Sequence, residues 1–168
     1  MTAVNFDGYD ALRANPLDIL EMMAGQNEWP YERSSEEEIT VAVSGEWCDF
    51  HIRYFWVAED NLLQAAGMLD MRVVETKKAK ILEAINLVNE RLAIGHFAIW
   101  TEDNSLMFRH SNMVGTDPEA AAAICEKITD AILAESNKYY PVFQFVLWAG
   151  KDPEEAIKAA MLETVGEA

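Results

Sequence analysis

Apolar positions follow a helical period in some segments of this chain and a strand period in others. Three helical segments begin with an Asn-Pro or Asp-Pro pair, which puts a capping side chain before a proline whose fixed φ suits the first helical position. A further segment has apolar residues at the 3.6-residue spacing of one buried stripe. The predicted helices are Pro16 to about Ala24 with Gly25 as the stop, about residues 76–92, Pro118 to about Lys138, and Pro153 onward.

Between the first two helices the pattern changes to period two, which predicts strands over about residues 39–44, 48–56 and 62–73. Short turns at residues 44–45 and 58–61 join them into an antiparallel meander. In the middle strand one face is strongly apolar. The other face is predicted to carry Trp47, Asp49, His51, Arg53 and Phe55.

A hairpin is predicted between the second and third helices, over about residues 97–113. Pairing Thr101 with Leu106 places an apolar set on one face and puts His96 opposite Ser111. That set comprises Phe97, Ile99, Leu106 and Phe108. The order of elements predicts an α+β fold: helix, three-stranded antiparallel meander, helix, β-hairpin and C-terminal helices.

The aromatic run from Tyr139 to Trp148 fits two structures. Pro141 disfavours helical geometry at Tyr140 and removes a hydrogen bond, so a helix would kink or restart there. A buried strand is the alternative, because Val, Phe and Trp also favour strands. In either case a run this apolar must be buried.

The net charge of the chain limits the classes of molecule that we expect it to bind. The chain has 29 acidic and 13 basic side chains and a net charge of −16, which repels nucleic acid and anionic membranes. This acidity is explained first by solubility, and the alternative is attraction to a basic peptide or protein. Cys48 and Cys125 lie far apart, as expected of packed thiols in a reducing compartment. The first residues show no secretory signal, and no apolar stretch could span a bilayer. We therefore expect a soluble cytoplasmic protein.

No motif predicts a catalytic residue, a cofactor or a metal ion. The chain lacks a nucleophile elbow, a phosphate-binding loop and a dinucleotide fingerprint. His51, His96 and His110 are residue types that bind metals, but His96 and His110 have no Cys or carboxylate at ligand spacing and lie on opposite faces of the predicted hairpin, so ordinary structural histidines are favoured. The candidate functional residues are instead partner contacts on the second face of the middle strand: Trp47, His51, Arg53 and Phe55. Trp47 and Phe55 could alternatively flank the strand ends and touch neighbouring elements.

Several segments resemble the YbjN family. They are Leu69-Asp70-Met71-Arg72-Val73, Ile85-Asn86-Leu87-Val88-Asn89-Glu90-Arg91-Leu92, Gly95-His96-Phe97-Ala98-Ile99-Trp100, Met107-Phe108-Arg109-His110, Tyr140-Pro141-Val142-Phe143-Gln144-Phe145-Val146-Leu147-Trp148 and Ala156-Ile157-Lys158-Ala159-Ala160-Met161-Leu162-Glu163-Thr164. The resemblance extends over residues 16–168, which we expect to be one domain, and leaves residues 1–15 as an N-terminal extension.

The resemblance implies the fold of type III secretion chaperones, whose small acidic members are dimers that bind partly unfolded proteins. It also implies a role in sensory transduction, without any catalytic residue to carry over. We therefore expect a non-enzymatic protein-binding module, a regulator or chaperone-like adaptor that forms a homodimer and binds an unidentified protein or peptide. The alternatives are an enzyme with an unrecognised active site and a structural subunit of a larger complex.

Overall fold

The structure, a computed structural model, describes residues 15–165, which form four helices and six strands. The predicted extension lies outside the described residues except for Asn15. In chain order the elements are α1 (Pro16–Gln26), β1 (Tyr31–Ser35), β2 (Glu38–Ser44), β3 (Asp49–Val57), β4 (Leu62–Arg72), α2 (Lys78–Asn89), β5 (His96–Trp100), β6 (Ser105–Met113), α3 (Pro118–Leu147) and α4 (Pro153–Val165). Single 3-10 turns follow β3 and β4.

The six strands form one antiparallel sheet in the order β1-β2-β3-β4-β6-β5. The longer hairpin strand, β6, lies inside the sheet beside β4, and the short β5 is the edge. Helices α1, α2 and α3 contact the sheet, and α4 packs against α2 and α3. The predicted α+β class is thus confirmed, with the helices in one layer and the sheet in the other.

The core lies between these two layers and takes alternate residues of every central strand. Close approach of α3 to the sheet depends on Gly67, since a Cβ there would lie 2.3 Å from Ile132 Cγ2. The Tyr54 hydroxyl, which is fully buried, shares a 2.8 Å hydrogen bond with Thr129 Oγ1. Thr129 in turn donates to the carbonyl of Cys125 at 2.8 Å. Burial raises the pKa of Tyr54, so its hydroxyl stays neutral.

Strand β1 extends the predicted meander to four strands. Its sequence, Tyr-Glu-Arg-Ser-Ser, has no alternating apolar positions, because an edge strand can remain polar. Arg33 attaches it to α1 through ion pairs with Asp18 at 3.2 Å and Glu21 at 3.4 Å. Ion pairs of this kind leave no periodic signal in a sequence.

The hairpin has the predicted faces but a different register. Phe97, Ile99, Leu106 and Phe108 share the core side, and His96 and His110 lie on opposite sides, as expected. The predicted pairing of Thr101 with Leu106 is wrong: Trp100 pairs with Ser105, which shifts the alignment by two residues. A shift of two keeps every side chain on its face, so hydrophobic patterning could not detect it.

Helix α3 continues through Pro141 without restarting and ends at Leu147 rather than near Lys138. The strand alternative for Tyr139–Trp148 is therefore wrong. The buried side chains of this segment include Tyr139, Val142, Phe143 and Val146, and the ring of Phe143 lies 5.0 Å from that of Phe97 on β5. Burial of so many large groups outweighs the hydrogen bond that Pro141 removes.

Helices α1 and α2 also differ from prediction at their ends, and α2 stops at Asn89 rather than near Leu92. Helix α1 includes Gly25 and ends one residue later, where Asn27 Nδ2 donates to the carbonyl of Met23 at 2.8 Å. Helix α2 begins at Lys78 after a 3-10 turn, later than predicted. The proline-led starts at Asn15 and Asp117 are confirmed, since each side chain accepts a backbone N–H of the first turn. No helix within residues 15–165 is long and apolar enough to cross a membrane.

Candidate partner-binding face

The sheet has a second face, away from the helices, which we call the open face. It is formed by the strand residues that alternate with core positions. The cross-strand pairs place seventeen of them side by side from β2 to β5: Thr40, Ala42, His51, Arg53, Phe55, Val57, Leu62, Gln64, Ala66, Met68, His96, Ala98, Trp100, Met107, Arg109, Ser111 and Met113.

A groove of about 700 Å³ crosses the open face. Ala66, Met68 and Met107 lie in its centre, on β4 and β6, with Phe55 on one side and Trp100 on the other. Met107 is only 3% exposed although it lies outside the main core cluster. Its neighbours on the open face therefore cover it, and the groove has a packed apolar floor.

The charges around the groove are arranged unevenly. Arg53 pairs with Glu38 at 2.7 Å and lies 5.0 Å from the centre of the Phe55 ring. Arg109 lines the groove as well, beside His96. Burial, and secondarily the charge of Arg109, lower the pKa of His96 and favour its neutral form. The acids Glu102 and Asp103 lie at the other end, in the turn between β5 and β6.

The composition of the open face is that of an interface. Protein interfaces are enriched in aromatic residues, Met and Arg, and depleted in Lys. The open face has Phe55, Trp100, three methionines and the three arginines Arg53, Arg72 and Arg109, while every lysine of the chain lies outside the six strands. Lysines would suit a strand face meant only for solvent, so this distribution favours a surface that another molecule covers.

The structure brings three of the four predicted contact residues together. His51, Arg53 and Phe55 follow one another on β3 and point to the open face. The prediction that Trp47 shares this face is wrong, because β3 begins only at Asp49. The turn before it carries Trp47 to α3, where its ring is parallel to Tyr140 with centres 6.1 Å apart.

Trp47 also repairs the gap that Pro141 leaves in α3. Proline has no backbone N–H, so the carbonyl of Asn137, one turn earlier, lacks its helical donor. The Trp47 indole N–H donates to that carbonyl at 3.0 Å, and the backbone N–H of Glu46 donates to Asn137 Oδ1 at 2.9 Å. Trp47 therefore has a structural role, which agrees with the alternative that it touches a neighbouring element.

Sequence reasoning missed four groove residues: Met68, Trp100, Met107 and Arg109. The period-two pattern already placed Met107 and Arg109 on the face of their strand that points away from Leu106 and Phe108. What the pattern lacked was the strand order, since only the pairing of β4 with β6 brings Met68 beside Met107.

The thiols and histidines offer little for catalysis. Burial, with the nearby charges of Asp70 and Asp49, raises the pKa of Cys48 to about 11. Burial raises that of Cys125 to about 12, so both thiols are protonated at neutral pH. Within the described part of the chain no three His, Cys, Asp or Glu side chains come close enough to hold a metal ion.

This fold and site define a class of protein: an α+β domain with one sheet face covered by helices and one that no helix within residues 15–165 covers. Residues 16–145 match the model of the YbjN family, described as "Putative bacterial sensory transduction regulator". The chain belongs to the YbjN family. The family is thus described by regulation and not by a reaction, and the match includes the whole sheet.

Solved structures support the same fold. The crystal structure of YbjN from E. coli, described as "a putative transcription regulator", is similar with a TM-score of 0.50 and 13% sequence identity. The similarity covers 74% of this chain and 90% of the other. At this identity it supports the fold alone. No curated protein matches the chain by sequence.

Proposed function

We propose that this chain is a regulator or chaperone-like adaptor that binds a partner protein on its open face and catalyses no reaction itself. The family description of a sensory transduction regulator supports a role of this kind. The partner would lay an extended segment over the groove, with apolar side chains between Phe55 and Trp100. A cytoplasmic location, which the acidic charge and the two free thiols favour, belongs to the same proposal.

The interface-like composition of the open face is the observation that carries this proposal. Solvated antiparallel sheet faces are normally polar, with clean alternation between core and surface. Here the face away from the helices has a strip along β4 and β6 with the apolar pair Met68 and Met107 at the centre and the apolar pair Leu62 and Met113 at one end. Gln64, Ser111 and Arg109 interrupt it. Burial of this strip under a partner segment would remove its apolar surface from water.

A different protein suits the open face better than a second copy of this chain. Two copies would each carry a net charge of −16 and repel one another over the range of the Debye length. The homodimer expected from the family resemblance remains a separate proposal. Sedimentation of the purified protein tests it, with about twice the 18.9 kDa of one chain as the expected mass.

Site-specific photocrosslinking in the native host tests the proposed function. A photoreactive phenylalanine replaces Phe55 or Trp100 on the open face, and Leu82 on α2 serves as the matched control because it is also well exposed. We expect one protein to crosslink from both open-face positions and not from Leu82. Met68→Glu, which puts a charge into the groove, should abolish the crosslink.

Each other outcome counts against the proposal. Equal crosslinking from Leu82 would mean that contact is unspecific, and survival of the crosslink in M68E would place the contact elsewhere. A product formed only between two copies of this chain would show that the open face is a dimer surface. Thermal unfolding of M68E checks that the variant is folded.

A further inference from the structure

A row of basic side chains crosses the open face. Cross-strand pairing aligns Arg53 on β3 with Ala66 on β4, Ala66 with Arg109 on β6, and Arg109 with His96 on β5. Directly paired residues on one face have Cβ atoms about 5 Å apart. The two arginines thus stand on either side of an alanine, too small to fill the space between them. Arg53 is paired with Glu38, so Arg109 contributes the positive charge of this row that no described residue neutralises.

Arg109 differs from Arg33 and Arg53, the two strand arginines that form ion pairs. Arg33 contacts Asp18, Glu21 and Glu36, and Arg53 contacts Glu38. Arg109 is half-buried and forms neither a salt bridge nor a side-chain hydrogen bond with any residue that the structure describes. A guanidinium presents a rigid fork of donors that matches a carboxylate. Its lack of an internal partner, in a chain with 29 acidic residues, leaves this fork available to a ligand.

The surroundings of Arg109 define what that ligand carries. The groove beside it is apolar, with Met107 two residues away on the same strand and Met68 across from Met107. Glu102 and Asp103 lie at the opposite end, about 13 Å or four extended residues from Arg109. They would repel a second carboxylate there. A matching segment has a carboxylate at one end, a large apolar side chain next to it and no acid at the other end.

We infer that Arg109, with His96 beside it, binds a carboxylate of the partner segment whose apolar side chain occupies the groove between Phe55, Met68 and Met107. This inference rests on the proposed function and names the chemistry of its partner. It departs from the expectation of a basic partner, which follows from net charge alone. Long-range repulsion by the acidic surface slows the approach of such a segment. The short-range contact with Arg109 provides the specificity for its carboxylate.

Selection from a display library of random short peptides on the purified full chain tests the inference. The wild type should enrich peptides that place Asp or Glu next to a large apolar residue. For an enriched peptide, replacing the acid by its amide should weaken binding about 10-fold, the usual effect of one charged hydrogen-bonded contact. With Arg109→Gln that difference should fall below about 2-fold, and Arg109→Lys should retain part of it.

Arg72→Gln is the matched control, because Arg72, on β4, is another arginine of the open face without an ion pair among the described residues, but it lies near Asp103 and away from the groove. It should keep the full preference for the acid. Enrichment of neutral or basic peptides that still require Met68 would overturn the inference and leave the proposed function intact. If no peptide is enriched, or if binding is insensitive to M68E, the proposed function itself is contradicted. Circular dichroism of each variant confirms folding.

Discussion

The two faces of one sheet differ in almost every property. On the covered face, Phe97 lies with its ring centre 5.0 Å from those of Phe108 and Phe143, and the buried hydroxyls of Tyr54 and Thr129 are hydrogen-bonded to each other. On the open face, apolar, polar and charged residues lie side by side, and Arg109 has no salt bridge or side-chain hydrogen bond among the described residues. The difference shows that one face forms the core, and the other is the face on which we propose that a partner binds.

The largest expected effect is a contrast between two phenylalanines. Phe108→Ala leaves a cavity in the covered layer and should lower the free energy of unfolding by about 3–5 kcal/mol. Phe55→Ala on the open face removes a half-exposed ring and should cost about 1 kcal/mol or less. Denaturant unfolding measures both. Equal costs would mean that the open face is part of the stabilising core, and the contrast between the faces would fail.

Next in size is the buried hydroxyl pair of the covered layer. Thr129→Val keeps the shape but leaves the Tyr54 hydroxyl unpaired in a fully buried site, at a cost of about 1–3 kcal/mol. Tyr54→Phe should cost less, because Thr129 still donates to the carbonyl of Cys125. Denaturant unfolding of both variants shows which substitution costs more. A larger cost for Tyr54→Phe than for Thr129→Val would contradict this account of the pair.

A smaller effect tests the contact between Trp47 and the carbonyl of Asn137. Trp47→Phe keeps a ring beside Tyr140 but loses the indole donor, and should cost about 1 kcal/mol. Pro141→Ala restores a backbone N–H that can donate to the same carbonyl. In that background Trp47→Phe should cost less, and a double-mutant cycle measures the difference. If Trp47→Phe cost the same free energy of unfolding in both backgrounds, the indole hydrogen bond would not compensate for the proline.

The smallest expected effect is a pH dependence from two histidines. Burial lowers the pKa of both His96 and His110 below the ordinary 6.5. Because the folded state disfavours their protonation, their contribution to stability is fully present above pH 6.5 and is lost as the pH falls through the folded-state pKa values. His96→Gln with His110→Gln should flatten the unfolding free energy across that window. If the unfolding free energy of the double variant depended on pH as steeply as that of the wild type, the pH dependence would come from other titratable groups.

Much of the fold followed from local patterns, and the misses have identifiable causes. The proline-led starts of α1 and α3 and the faces of the hairpin follow from short-range chemistry. Strand β1 was missed because its polar residues are held by Arg33 through contacts with α1, distant in sequence. Helix α3 was expected to stop or bend near Pro141 because the donor that replaces the proline N–H comes from Trp47, far away in the chain.

The candidate site was only partly predictable. The alternation of apolar and polar residues along the predicted strands showed that His51, Arg53 and Phe55 point away from the core. The same alternation placed Met107 and Arg109 on the face away from the core. It could not show that these two groups lie next to each other, because that depends on which strand pairs with β4. Trp47 was misplaced because the start of β3, two residues later, is set by the turn that packs on α3.

The sequence by itself determined the α+β class, the family, the apolar stripes and the acidic charge, because periodicity and composition are local properties of a chain. Only the tertiary structure decided the strand order, the passage of α3 through Pro141 and the place of Arg109 beside an apolar groove. Each of these depends on contacts between residues far apart in sequence. Such contacts form only when the whole layer of helices is packed on the sheet, and no local pattern records them.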